Sequence, residues 1–138
     1  MASEDVRILA LTAAAREARK KAHAPYSAFF VGAAVEAGSG KIYPGCNVEN
    51  ASYGLTVCAE RVAILKAVSE GEREIKTVVV VAGEGREVER PCGACLQVMQ
   101  EFAPKNQPMV IVTCTADGIY ETHTLAEYLP MPFRLESR

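Results

Sequence analysis

The chain contains no tryptophan and just two histidines, His23 and His123, in 138 residues. Any metal site must therefore draw mainly on thiolates or carboxylates. No apolar run comes near the ~18 residues that a membrane-spanning helix requires. The opening Met1-Ala2-Ser3-Glu4-Asp5 is acidic, where a secretory signal is basic. Neither a membrane span nor export is expected, and the expected location is the cytoplasm. An excess of basic charge is missing too: 15 Lys and Arg stand against 17 Asp and Glu, a net charge of −2. Such a surface offers no long-range attraction to a polyanion, which disfavours a nucleic-acid polymer as partner. Five cysteines cannot all pair within one chain. In a reducing compartment they serve as metal ligands, catalytic thiols or small buried residues.

What is present is an ordinary globular composition, 49% hydrophobic and 23% charged, without repeats, low-complexity tracts or linkers. Residues 1–138 read as one domain, large enough to bury a core without disulfide support. Val6, Leu9, Ala10, Ala13, Ala14 and Ala18 recur at three- and four-residue steps. This predicts a helix from Ser3 to Lys21, with Ser3 as its cap and Pro25 as its terminator. Phe29 to Ala37 and Lys41 to Asn47 form a predicted hairpin around Gly38-Ser39-Gly40. A second helix is predicted from Cys58 to Glu70, stopped by Gly71, and a third from Pro91 to Phe102. Thr77 to Ala82 and Met109 to Thr115 are unbroken apolar runs, as expected of strands covered on both faces. Asp117-Gly118 turns the chain into a strand at Ile119 to Thr122, and Leu125 to Tyr128 makes a short last helix before Pro130. The order α-β-β-α-β-α-β-β-α indicates an α/β fold, a three-layer α-β-α sandwich around a mixed five-stranded sheet.

Three cysteines occupy predicted loop-to-helix junctions: Cys58 in Cys58-Ala59-Glu60-Arg61, and Cys92 and Cys95 in Pro91-Cys92-Gly93-Ala94-Cys95. Three residues along a first helical turn bring two sulfurs to one side. Helix N-termini carry roughly half a positive charge, which favours the thiolate that binds metal. Two such starts carrying three thiols can surround one zinc ion, and three protein ligands leave one tetrahedral corner for solvent, the pattern of a catalytic site. Taken alone, the C-x-x-C pair also fits a redox couple, half of a zinc finger or two packed thiols. A closed structural site would need a fourth donor from Cys46, Cys114, His23 or His123. Cys46 and Cys114 lie in strand segments and suit buried apolar roles; His23 suits a helix end and His123 the surface. Glu60 stands two residues after Cys58, a spacing whose side chains do not face one another along a regular helix, so it is poorly placed to share the ion yet near enough to act as a proton acceptor.

Cys58-Ala59-Glu60 with Pro91-Cys92-Gly93-Ala94-Cys95 resembles the two-part signature of zinc-dependent cytosine-type deaminases. The resemblance extends to the small cytidine deaminases of free-nucleoside salvage and covers about Ala24 to Pro130. Ala24-Pro25-Tyr26-Ser27, Val31-Gly32-Ala33-Ala34, Gly45-Cys46-Asn47-Val48-Glu49-Asn50-Ala51, Cys58-Ala59-Glu60-Arg61 and Leu129-Pro130 all resemble that family's stretches. By this resemblance Cys58, Cys92 and Cys95 hold one zinc ion per chain, and Glu60 is the general acid and base. Asn47 and Glu49 match residues that hydrogen-bond the ribose, Phe29 an aromatic that packs on the nucleoside, and the Ala59 backbone a contact to the pyrimidine edge. Arg61 matches an arginine that bonds ligand sulfurs. Phe133 resembles an aromatic that reaches a neighbouring subunit's site. Chains of this kind resemble the homotetrameric branch, in which subunits complete one another's sites.

One departure stands out. Many relatives carry Arg after the second cysteine of the C-x-x-C pair, where this chain has Leu96. That leaves Arg61 and the helix dipoles to offset the thiolates, with altered zinc tuning as the expected consequence. The implied reaction is hydrolytic deamination at C4 of a cytosine nucleoside, cytidine or deoxycytidine. The rivals are a related deaminase acting on a modified nucleoside or a polymer, a non-enzymatic zinc module, and a thiol oxidoreductase using Cys92 and Cys95.

Overall fold

The computed structural model describes residues 2–83, 85 and 87–136, with side chains from residue 6 onward. The elements in chain order are α1 (Ala2–Arg19), β1 (Val31–Ala37), β2 (Ile42–Cys46), a 3-10 turn (Tyr53–Leu55), α2 (Ala59–Ser69), β3 (Ile75–Ala82), α3 (Gly93–Glu101), β4 (Val110–Cys114), β5 (Tyr120–Thr124) and α4 (Leu125–Tyr128). The order expected from the sequence is observed; the 3-10 turn was not foreseen. The five strands form one sheet in the order β2-β1-β3-β4-β5. Only β3 and β4 run parallel, with Thr77 opposite Val110 and Val81 opposite Cys114; the other pairs are antiparallel.

Two buried clusters lie on the two sheet faces. Alternation along β3 sends Val78 and Val80 to one face and Val79 and Val81 to the other. The first pair packs with Ala63, Ile64 and Ala67 of α2 and Cys95, Leu96 and Met99 of α3. The second pair packs with Leu11 and Ala15 of α1. Burying each of these valines contributes roughly 1.5–3 kcal/mol.

Glycines allow two of the helices to approach the sheet closely. A Cβ on Gly32 of β1 would lie 1.9 Å from the Ala15 carbonyl oxygen of α1. On Gly45 of β2 it would lie 2.5 Å from the Ala63 amide of α2. Both obstacles are backbone, so neither can swing aside.

Several expectations for the first helix are corrected. It starts at Ala2, so Ser3 lies within it and is not its cap. It ends at Arg19, well before Pro25. Bonds from Lys20 to Glu17 and from Lys21 to Ala18 tighten the last turn, and the His23 amide then leaves to donate to the Asn47 carbonyl at 3.0 Å. Of the expected stripe, Ala18 alone is buried. Leu11, Ala15 and Ala18 face the sheet, while Val6 and Leu9 are 63% and 69% exposed. The helix carries two apolar stripes of the same spacing, Val6-Leu9-Ala13 and Leu11-Ala15-Ala18, and the close approach over Gly32 fits the second.

Candidate active site

The predicted helix starts shift by one or two residues, with a consequence for the sulfurs. Cys58 and Cys92 precede their helices as N-caps, with extended backbones (φ −70°, ψ 154° and φ −76°, ψ 168°). Their carbonyls open the helical ladders, accepting from Val62 at 3.1 Å and Leu96 at 3.0 Å. Neither sulfur makes a capping hydrogen bond, so both are available elsewhere. Cys95 lies in the first turn of α3 and is fully buried.

The three sulfurs lie within 4.8 Å of one another, and those of Cys92 and Cys95 are 3.4 Å apart. Sulfurs held about 2.3 Å from a tetrahedral ion stand roughly 3.8 Å apart, so the spacing fits zinc. The cluster contains these three donors; Cys46, Cys114, His23 and His123 lie outside it. Cys114 is buried as expected, whereas Cys46 is only half-buried.

The electrostatics follow from this crowding. The Cys58 thiol is pulled down to about 5, chiefly by a hydrogen bond from Cys95, with Arg61 adding to the effect. Cys95 is pushed up, chiefly by that same bond to Cys58. The crowded thiols thus shift one another in opposite directions. A divalent cation is the group that lets all three ionise together. Arg61 Nη2 donates to Cys58 Sγ at 3.5 Å, and Arg61 Nε is buried without a hydrogen-bond partner. Leu96 is buried in the core beside Met99 and supplies no charge.

Glu60 is the second residue of α2, where a helix dipole favours any acid and most such acids are solvated. Here it is only 6% exposed. Burial pushes its carboxyl above the usual range, the Cys58 charge adds to this, and its side chain also interacts with Cys95. A buried carboxyl facing a thiol cluster is placed to exchange protons with a molecule bound there. Ala59, the first residue of α2, is completely buried.

The other predicted residues gather on the segments that flank β1 and β2. Val48 and Val57 exchange backbone hydrogen bonds at 2.9 Å, laying Asn47 and Glu49 beside the segment that enters Cys58. Asn47 is 8% exposed. Its Nδ2 donates to the Phe29 carbonyl at 2.8 Å, and its Oδ1 accepts from Val31 at 3.0 Å. Glu49 accepts from the Tyr26 and Ser27 amides at 3.0 and 3.2 Å and from the Ser27 hydroxyl. The hydroxyl bond is the main cause holding its carboxyl below the usual range. The Phe29 ring lies against Gly83, at the end of β3.

Ser27 and Ala28 carry structure that sequence reasoning passed over. Ala28 has φ 57°, the one positive φ of a non-glycine among the described residues. That strained turn is fixed by its amide on the Ala24 carbonyl and by Phe29 on the Ser27 hydroxyl, both at 3.0 Å. The Ala24-Pro25-Tyr26-Ser27 stretch was the available signal.

The fold and donor set thus define a metal-dependent α/β domain whose centre combines three thiols and a buried carboxyl. Residues 7–112 match the family described as the cytidine and deoxycytidylate deaminase zinc-binding region. The chain belongs to this family. A cytidine deaminase from Sporosarcina psychrophila is 48% identical over 126 residues, 91% of this chain and 90% of that protein. One from Halalkalibacterium halodurans is 46% identical over 120 residues, covering 87% and 89%. The crystal structure of cytidine deaminase from Burkholderia pseudomallei aligns with a TM-score of 0.83 at 44% identity, covering 90% of this chain and 97% of that one.

Proposed function

We propose that the chain deaminates cytidine and deoxycytidine to uridine and deoxyuridine with release of ammonia, in pyrimidine salvage. The observation that carries this reading is the cluster of Cys58, Cys92 and Cys95 sulfurs with Glu60 buried beside it. In this assignment the three cysteines hold zinc. A zinc ion supplies Lewis acidity that makes water a nucleophile near neutral pH.

The chain's own residues supply the rest. Glu60 accepts a proton from the attacking water and delivers it to ring N3; it then takes the proton of the new C4 hydroxyl as the carbonyl forms, and passes it to the amino group, which leaves as ammonia. The buried Ala59 backbone borders the pyrimidine edge. Phe29 packs on the nucleoside. Asn47 and Glu49 hold the ribose hydroxyls, with their side chains already fixed by the Phe29, Val31, Tyr26 and Ser27 bonds. That preorganisation lowers the ordering cost of binding. Arg61 offsets the thiolate charge.

We place the working enzyme in the cytoplasm as a homotetramer. Two features support shared sites: Phe133 is 69% exposed, and its carbonyl is held by Gln97 Nε2 at 3.1 Å. The exposed Val6 and Leu9 on α1 offer further apolar surface for a subunit contact.

The test is ammonia release by zinc-loaded protein from cytidine, deoxycytidine, cytosine, an aminoacyl-nucleoside antibiotic and a short single strand. Turnover of the two free nucleosides is expected. Turnover confined to the antibiotic or the strand refutes the substrate assignment.

A further inference from the structure

A ten-residue connection, 83–92, links β3 to α3 and ends on Cys92. Among its described residues ahead of Cys92, the side-chain hydrogen bonds to the rest of the fold come from Arg90. Its guanidinium forks onto Glu121 of β5: Nη2 donates to Oε2 at 2.9 Å and to Oε1 at 3.1 Å, and Nε donates to Oε1 at 3.2 Å. Glu121 Oε1 also meets His123 Nε2 at 3.1 Å, and His123 Nδ1 meets Glu127 Oε2 at 3.1 Å. Glu127 Oε1 accepts the Thr124 amide at 2.9 Å and closes the capping box of α4. The Tyr128 ring stands edge-on to His123, with centroids 5.1 Å apart. One cation is thereby tied through a carboxylate, an imidazole and a second carboxylate to a strand and a helix.

We propose that Arg90, clamped by Glu121, His123 and Glu127, is a positioning residue for Cys92, an inference that rests on reading the site as a zinc centre. Pro91 is the physical link. Its ring fixes one backbone torsion, and it restricts Arg90 before it to extended conformations. Few soft torsions then separate the clamp from the cysteine. Of the three sulfur donors, Cys92 most needs such support, because it is exposed while Cys58 is half-buried and Cys95 is buried. A lone surface ion pair contributes little to stability. A bidentate fork inside a network acts on geometry instead, by holding direction as well as distance.

The experiment follows zinc release from the loaded full chain into excess chelator, and amide exchange at Leu96 in the metal-free chain. The Leu96 amide bonds the Cys92 carbonyl, so its exchange reports whether the cap is held. Arg90→Gln and Glu121→Gln are expected to release zinc about 10-fold faster, at the lower end of outer-shell effects, with faster Leu96 exchange. Arg90→Lys, which keeps the charge and loses the fork, should fall between. Lys20→Gln, which breaks the exposed Lys20–Glu17 pair, should leave both rates alone. Wild-type zinc release in both Gln variants overturns the proposal while leaving the zinc reading intact. So does faster release that merely tracks a fall in the melting temperature of the metal-free chain. A wild-type chain that holds no zinc fails the zinc reading itself; unchanged Leu96 exchange then separately overturns the clamp.

Discussion

Replacing Glu60 by glutamine tests the proposed chemistry most directly, since the amide keeps the shape and loses the transferable proton. A positioned acid or base contributes typically about 10²–10⁴-fold in rate. At about 1.4 kcal/mol per factor of ten, Glu60→Gln should raise the barrier by roughly 3–5.5 kcal/mol. Stability should move little, or upward. Glu60 is 6% exposed, and burial already disfavours its charged form, so a neutral isostere avoids that cost. Zinc content should stay near one per chain, because the three sulfur donors are untouched. The assay is initial-rate loss of cytidine absorbance, resolved into kcat and KM, with elemental zinc analysis and a thermal melt on the same preparation. The expected result is a collapse of kcat with retained zinc and fold. A Gln variant with wild-type kcat would refute the role of Glu60.

Further outcomes are expected. Cys95→Ser should drop zinc occupancy well below one per chain, while Cys46→Ser and Cys114→Ser leave it intact; zinc loss in either of the latter would point to a closed four-ligand site. Gly32→Ala should destabilise by at least about 1–3 kcal/mol in denaturant unfolding, because the new Cβ meets the Ala15 carbonyl at 1.9 Å; an unchanged midpoint contradicts the docking of α1. His123 is raised above its usual 6.5 by Glu127 first and Glu121 second, and those carboxyls are lowered from 4.5, Glu127 chiefly by the Thr124 amide and Glu121 chiefly by Arg90. The imidazolium contribution is complete below about pH 6.5 and lost as pH rises through the folded His123 value. The carboxylate contribution is present above about pH 4.5 and lost as pH falls through their lowered values. With Arg90 and Tyr128 also facing this group, wild type minus His123→Gln melting differences should peak between those limits and vanish in alkali. A difference that persists at pH 9 refutes the ionic origin.

The amino-acid order by itself determined the order of helices and strands and marked Cys58, Cys92 and Cys95 as candidate metal ligands. The local part of this is legible in short stretches: valine runs make buried strands, and the C-x-x-C pair at a helix start gathers two sulfurs within one turn. The α/β class followed because two doubly covered strands demand helices on both faces. Only tertiary structure decided which stripe of α1 is buried, since Val6, Leu9 and Ala13 repeat at the same spacing as Leu11, Ala15 and Ala18 and the clearance over Gly32 fits the latter. Tertiary structure also brought Cys58 to Cys92 and Cys95, buried Glu60 against them, and tied Arg90 to Glu121 and His123. These groups are distant in sequence and carry no periodic signal. Their meeting depends on the parallel pairing of β3 with β4 and on where the connecting chain crosses the sheet.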